Sequence, residues 1–444
     1  MKKYDSYKDS GVEWIGDLPS NWQIKRIKHT TYVKGRIGWQ GMRSDEFLES
    51  SDSYVVTGTD FMKGLVKWDT CYQVPLERYE EDPFIQLREG DLLITKDGTI
   101  GKIAVVKDIP KIATLNSGVF LTRPLFDSYV PEFMYWILYS EVFKTFYDYN
   151  KSGSTIQHLY QNVFNEFKFP LPTIKEQTTI ANYLDQKTTQ IDHLIAKKEQ
   201  FIQLLEEERV AVINQAVTKG LDPNVLMKDS GIEWLGEIPE HWELWKISHA
   251  FKRIGSGTTP ESGNPIYHEN GTINWLNTGD LNDGEVVLCN KKITEQAIFD
   301  YTSLKLFPAG SLVMAMYGAT IGKTGFIKFD TTTNQACCVF CEGEIIDLKF
   351  LQYWFLAKKE NIINLAIGGG QPNISQNILK DIRVNCPSIS EQLSIVKYLD
   401  LKTKEIDLVE SKAYQEIELL KEYKTAIISE VVTGKVDVRN EKLN

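Results

Sequence analysis

Asp9-Ser10-Gly11-Val12-Glu13-Trp14-Ile15-Gly16 returns as Asp229-Ser230-Gly231-Ile232-Glu233-Trp234-Leu235-Gly236, displaced by 220 residues. The match runs on through Leu18-Pro19 and Trp22 against Ile238-Pro239 and Trp242, so the chain is a tandem duplication. Further along, Glu176-Gln177 and Tyr183-Leu184-Asp185 answer Glu391-Gln392 and Tyr398-Leu399-Asp400 at an offset of 215. Between these points the offset wanders: Thr99-Ile100-Gly101-Lys102 matches Thr320-Ile321-Gly322-Lys323 at 221, and Tyr135-Trp136 matches Tyr353-Trp354 at 218. Constant ends around a drifting interior suit one frame that carries two different recognition surfaces. Two copies are too few for a solenoid, so a pseudo-two-fold protein is expected.

Each repeat reads as a mixed α/β globule followed by one long helix. Thr173-Ile174-Lys175-Glu176 follows Pro170 and Pro172, and Ser388-Ile389-Ser390-Glu391 follows Pro387. Both have the capping-box form, a hydroxyl at the N-cap and Glu three residues on. Beyond them Ile180, Leu184, Lys187, Ile191, Leu194, Lys198, Ile202, Leu205, Arg209, Val212 and Ala216 alternate in steps of four and three. Ile395, Leu399, Lys402, Ile406, Val409, Ala413, Ile417, Leu420, Lys424, Ile427 and Val431 repeat the pattern, a coiled-coil signature. Two amphipathic helices lying separately on their own globules are the alternative. Only Gly220 to Asp229 separate the first helix from the second repeat, so the second globule begins where that helix stops. Two equivalent units then require antiparallel helices of about 65–70 Å each, with the C-terminal segment returning close to Met1. The expected boundaries are 1–172 and 221–386 for the globules, and 173–220 and 387–444 for the helices.

Within the globules, Asp91 to Thr95, the turn Asp97-Gly98, and Ile103 to Val106 read as two strands about a tight turn, repeated from Ser311 to Ile327. Aromatic-rich stretches from Pro131 to Phe146 and from Asp347 to Leu365 are expected to be helices covering a sheet. Trp14, Trp22, Trp234 and Trp242 are read as anchors of each opening segment rather than as platforms for bases.

The chain has 444 residues, 42% hydrophobic and 25% charged, which is ordinary for globular protein. No apolar run approaches a membrane span and the N-terminus lacks the apolar core of a signal peptide, so an intracellular, cytoplasmic protein is expected. Six cysteines in this length suggest no disulfide framework. Cys337, Cys338 and Cys341 lack a second ligand pair at suitable spacing and are read as a buried strand, not a metal site. Net charge is −10. Residues 1–172 hold 21 basic and 23 acidic groups (21 − 23 = −2), and 221–386 hold 14 and 19 (14 − 19 = −5). The acidic balance argues against a generic polyanion binder in either half, so any affinity for DNA must come from local patches or partner subunits.

Enzyme signatures fall short. Gly318-Ala319-Thr320-Ile321-Gly322-Lys323-Thr324 resembles a phosphate loop but has three residues between its glycines, and its twin at Gly98 to Lys102 has two. Asp82-Pro83-Phe84 lacks a proline of the amino-methyltransferase motif. What is polar and repeated is a loop before each long helix: Lys151-Ser152-Gly153-Ser154-Thr155-Ile156-Gln157 and Gly368-Gly369-Gly370-Gln371-Pro372-Asn373-Ile374-Ser375, leading to Gln161-Asn162 and Gln376-Asn377. Small residues allow close backbone approach, Gln and Asn pair with adenine edges, and Ser binds phosphate. A Gly-rich connection that satisfies only its own backbone is the competing reading.

With two Asp-Ser-Gly-x-Glu-Trp-x-Gly openings, two Gly-rich loops, two Pro-rich steps with Glu-Gln, and two Tyr-Leu-Asp helices, the chain resembles the specificity subunit of type I restriction-modification enzymes over essentially its whole length. The resemblance implies an α+β fold in which two mixed α/β target-recognition domains are joined by two long antiparallel coiled-coil helices. It also implies a non-catalytic chain without cofactor or metal. Each domain would read half of a split, asymmetric sequence in double-stranded DNA. The partners implied are two methyltransferase subunits, which methylate flipped-out adenine using S-adenosylmethionine, and two restriction subunits, which cleave DNA using ATP. The loop residues Ser154, Gln157, Gln371, Asn373 and Ser375 are the DNA-binding candidates supported by the resemblance. Lys102, Lys323, Lys96 and Arg36 are added from charge and position. Two alternatives stay open: a coiled-coil protein-binding scaffold without DNA recognition, which the acidic charge favours, and an enzyme with an unrecognised site.

Overall fold

A computed structural model describes residues 2–36, 41–150, 158–366 and 373–441. The chain divides into two compact units, Met1–Lys198 with Tyr414–Asn444, and Glu199–Ala413. Both unit boundaries fall inside long helices.

Unit 1 is built on a sheet containing β1 (Thr31–Gly35), β2 (Leu92–Thr95), β3 (Ile103–Val105) and β4 (Val119–Pro124), in spatial order β1, β4, β2, β3, extended by the short hairpin Phe61–Met62 and Leu65–Val66. Helices α1 (Pro131–Tyr139) and α2 (Glu141–Asn150) follow, then α3 (Gln161–Asn165) and the 46-residue α4 (Ile174–Lys219). Unit 2 repeats the order with β5 (Phe251–Gly255), β6 (Leu312–Ala315), β7 (Thr324–Ile327) and β8 (Cys337–Gly343), arranged β5, β8, β6, β7 with Glu285–Val286 at the edge. Helices α5 (Leu348–Ala357), α6 (Lys359–Ile363), α7 (Gln376–Asp381) and the 44-residue α8 (Ile389–Val432) complete it. The antiparallel pairs β2·β3 and β6·β7 are the hairpins expected from sequence. Each expected aromatic helix is in fact two. The first breaks at Ser140, whose extended backbone (ψ 166°) and hydroxyl, accepting from the Val142 N–H at 3.3 Å, start a new helix.

The opening motif is a turn device. Asp9 Oδ1 accepts the Gly11 N–H at 2.9 Å, and Asp229 does the same for Gly231 at 2.9 Å. Ser10 and Ser230 cap the next N–H, while Gly11 and Gly231 sit at φ +64° and +70°, where a Cβ is costly. Trp22 and Trp242 are fully buried just beyond, each burial contributing roughly 2–3 kcal/mol.

Half of each capping box forms. Thr173 and Ser388 accept from the backbone N–H groups of Glu176 (3.4 Å) and Glu391 (3.3 Å). The two carboxylates turn away to hold the opening segments instead. Glu176 accepts from the Tyr4 hydroxyl at 2.7 Å, and Glu391 from Trp242 Nε1 at 3.1 Å and His241 Nε2 at 3.0 Å. Burial, reinforced by Glu176, pushes the Tyr4 hydroxyl up, so it remains a donor. The C-terminal segment closes the same corner: the Asp437 N–H donates to Lys2 O at 2.9 Å, and Arg439 lies 4.6 Å from the Tyr4 ring.

Within unit 1 the long helices run antiparallel, for Asp192 pairs with Lys424 (2.7 Å) and Lys198 with Glu416. In unit 2 Arg209 joins Asp407 (2.5 Å) and Glu410 (3.0 Å). The helices also enter the globular cores: Ile180, Leu184, Ile427 and Val431 pack with Trp22 and Phe133, and Ile213, Val217, Ile395 and Leu399 with Trp242 and Trp354. The strict heptad reading needs one correction. Leu194 and its twin Val409 are 45% and 39% exposed, and Thr188 and Ile195 take the seam instead. A straight helix has 3.6 residues per turn, so a 3.5-residue pattern drifts about 20° per heptad and a four-step must replace a three-step.

The cysteines of β8 are buried, and burial pushes the Cys338 thiol up to about 12. Among the described residues, no cluster of three or more His, Cys, Asp or Glu side chains could hold a metal ion, and no helix is long and apolar enough to cross a membrane.

Candidate nucleic-acid interface

Past the Gly-rich loop of unit 1 the chain returns beside the end of β2. His158 forms a bridge with Asp97, and the Leu159 N–H donates to Lys96 O at 2.8 Å. Unit 2 has the same register: Asn373 bridges Tyr317, and the Ile374 N–H donates to Met316 O at 2.9 Å. The backbone frame is therefore duplicated while the side chains on it differ.

In unit 1 three of those side chains, Lys96, Asp97 and His158, are ionisable. Asp97 lies 2.7 Å from His158 Nδ1 and 3.0 Å from Lys96 Nζ, and Lys96 also sits 5.6 Å from the Phe120 ring. Partial burial pushes the Asp97 carboxyl up, but hydrogen bonds from His158 and Lys96 outweigh it and hold the acid below its ordinary range. These groups, with Tyr160 and Gln161, line a cavity of about 280 Å³. Tyr160 is exposed, whereas the Lys96 side chain is 20% exposed and already ion-paired. In unit 2 the corresponding positions, Met316, Tyr317 and Asn373, carry no charge.

Ser154, Gln157 and Gln371 lie outside the described residues. Asn373 is exposed at the bridge. Ser375 is the N-cap of α7, its hydroxyl accepting the Ile378 N–H at 3.2 Å, so that acceptor serves the helix. Arg36 is enclosed by the protein rather than presented on its surface. It is 2% exposed, and its guanidinium donates to Leu115 O (2.8 Å), Glu81 (3.1 Å), Arg78 O and Thr114 (both 3.3 Å), bracing the sheet end. Lys96 and Arg36 meet at the cavity. Lys102 does not join them: it is exposed on a separate cleft with Lys63, Lys107 and Tyr135. Lys323 is half-buried, and β7 rather than a helix opens immediately after it. The glycines of that turn answer to φ values of +67° and +77° at Gly318 and Gly322.

His158, Asp97, Tyr160 and Tyr317 were not singled out from sequence. The signal was present, since the offset of 215 that aligns the helix starts carries His158 to Asn373 and Tyr160 to Ser375.

Residues 19–204 and 239–419 each match the family described as type I restriction modification DNA specificity domain. The chain belongs to that family. It is 27% identical to the type I restriction enzyme MjaVIII specificity subunit of Methanocaldococcus jannaschii, across 98% of both chains. To the EcoBI specificity subunit of Escherichia coli it is 26% identical over 89% of this chain and 82% of that one. Among solved structures, the HsdS subunit from Thermoanaerobacter tengcongensis superposes with a TM-score of 0.62 at 15% identity, covering 94% of this chain and 98% of that one. A chain from a type I R-M system gives 0.71 at 15% identity, covering 94% and 99%. The fold is thus that of two target-recognition domains with long helices, and the role is that of a DNA sequence-specificity subunit.

Proposed function

We propose that each unit reads one half of a split, asymmetric sequence in double-stranded DNA, and that the long helices hold the two readers apart and dock the partner subunits. The observation that carries this is the shared register at the loop return with unlike side chains on it, Lys96-Asp97-His158 in one copy and Met316-Tyr317-Asn373 in the other. One frame places both readers alike, and different side chains read different base edges. The target-recognition parts are 1–172 and 221–386. Contacts come from the loops with Ser154, Gln157 and Gln371, from Asn373, and from Lys102 and Lys323 toward backbone phosphates, to which we add His158, Tyr160 and Tyr317.

Catalysis belongs to the partners in this reading: two methyltransferase subunits and two restriction subunits act in the cytoplasm on DNA this chain has selected. The net charge of −10 fits such a division, since partners clamp the phosphates while this chain supplies readout. A mobility-shift assay with and without a co-expressed methyltransferase subunit is the test. Sequence-specific retardation that strengthens with the partner is expected; absence of retardation in both arms overturns the proposal.

A further inference from the structure

Just ahead of β8, Thr331-Thr332-Thr333-Asn334-Gln335 is a run of polar side chains that unit 2 engages unequally. The Thr331 hydroxyl donates to Asn274 O at 3.0 Å, Thr332 is buried, and Thr333 Oγ1 accepts the Gly257 N–H at 2.9 Å. Asn334 is engaged at both ends, its Oδ1 accepting the Ala336 N–H and its Nδ2 donating to Asn277 Oδ1, both at 3.1 Å. Gln335 is exposed. Its Oε1 accepts the Thr259 hydroxyl at 2.7 Å, while its Nε2 has no partner within the chain among the described residues.

Thr259 is itself held in place. A Cβ on Gly257 would lie 1.8 Å from Thr333 O, so the glycine lets this loop press onto the strand end. Trp275 Nε1 donates to Thr258 O at 3.1 Å, and the Tyr301 hydroxyl accepts the Glu261 N–H at 3.0 Å. Pins on both sides of Thr259 preorganise its hydroxyl and, through it, the rotation of the Gln335 amide. The pair also stands in the row that carries the loop return. The Met316 N–H donates to Ala336 O at 2.8 Å and the Ile374 N–H to Met316 O at 2.9 Å, so Gln335, Tyr317 and Asn373 share one sheet end. In unit 1 the Lys96 N–H donates to Gly118 O at 2.9 Å, which makes Ser117 the twin of Gln335. Ser117 is half-buried and too short to repeat the device.

An amide with both groups free pairs with adenine, accepting from N6 and donating to N7. One whose oxygen is occupied offers donors only, and guanine, with O6 and N7 both acceptors, is the base that matches it. We infer that Gln335 is a specificity-determining residue of unit 2 that selects guanine in its half-site, and that Thr259 positions it by holding its oxygen. The inference deepens the half-site reading proposed above and rests on it.

The test uses the full chain with its partner subunits, mapping methylated adenines across the host genome and then measuring competition binding of the duplexes so identified. The half-site retained when residues 30–165 are exchanged belongs to unit 2. It should contain one guanine whose replacement costs the wild type on the order of tenfold or more in affinity. Gln335→Ala should make that position degenerate and leave every other position and the gap unchanged. Thr259→Val should admit adenine there, since the released amide can then accept as well as donate; misfolding cannot imitate a gained target. Unchanged targets in Gln335→Ala, discrimination lost at a thymine instead, or strict guanine retained by Thr259→Val overturns the inference and leaves half-site reading standing. A change in both halves on either substitution, or no defined target for the wild type, removes the half-site reading itself, and this inference with it.

Discussion

Gln177 Oε1 accepts the backbone N–H of Val130 at 2.8 Å, while its Nε2 donates to Pro172 O at 2.9 Å. One buried amide thereby ties the start of α1 to the Pro-rich step from which α4 leaves. Its twin Gln392 takes the Asp347 N–H at 2.7 Å and donates to Pro387 O at 2.8 Å. This is why Glu-Gln recurs: the Glu holds the opening segment and the Gln holds the covering helix.

Gln177→Ala should therefore destabilise unit 1 by about 2–3 kcal/mol, because a buried N–H and a buried carbonyl both lose their partner. Gln177→Glu should cost at least as much, since a carboxylate cannot donate to Pro172 O. Urea unfolding of both variants checks this; a change within experimental error for Gln177→Ala refutes it.

Much of this frame is legible in the sequence because its devices are local. Asp, Ser and Gly at a turn, a hydroxyl before a helix, and a four-three apolar rhythm each act within a few residues, and each repeats. What escaped reading depends on distance in space. Arg36 looks like a free cation until Leu115, Glu81 and Thr114 arrive around it. Leu194 fits a heptad until helical drift carries it off the seam. The two Gly-rich loops differ in internal spacing, so pairing Lys151 with Gly368 (offset 217) hides the match of His158 to Asn373 at 215.

Asp97 gives a pH test. Its folded pKa lies below the ordinary carboxylate range, so its contribution to stability is fully present above the unfolded value of about 4 and is lost as pH falls through the lower folded value. The gap in unfolding midpoint between wild type and Asp97→Asn should be widest near pH 6 and should close as pH falls below 4. A gap that stays constant across that range contradicts the pairing with His158 and Lys96.

Thiol reactivity should be sharply graded. Cys71, Cys337, Cys338, Cys341 and Cys386 are buried, and burial pushes Cys338 and Cys386 each up to about 12. Cys289 alone is half-buried. Peptide mapping after brief iodoacetamide treatment of the native chain at pH 8 should find Cys289 labelled first; early labelling of Cys338 would count against the β8 core.

The helices as spacers can be tested by lengthening both. Seven residues inserted after Lys198 and seven after Ala413 add about 10 Å to each and keep the antiparallel partners matched. The unspecified gap in the DNA target should grow by about three base pairs with both half-sites unchanged. Modification of the original target with its original gap would show that the helices do not set the spacing.

The central claim is that two units read two half-sites independently, and exchange of residues 30–165 for the corresponding segment of a relative tests it most directly. The exchanged chain, expressed with its partner subunits, is scored by single-molecule sequencing of methylated adenines across the host genome. One half of the methylated sequence should change while the other half and the gap remain. A target altered in both halves, or in neither, would contradict the account.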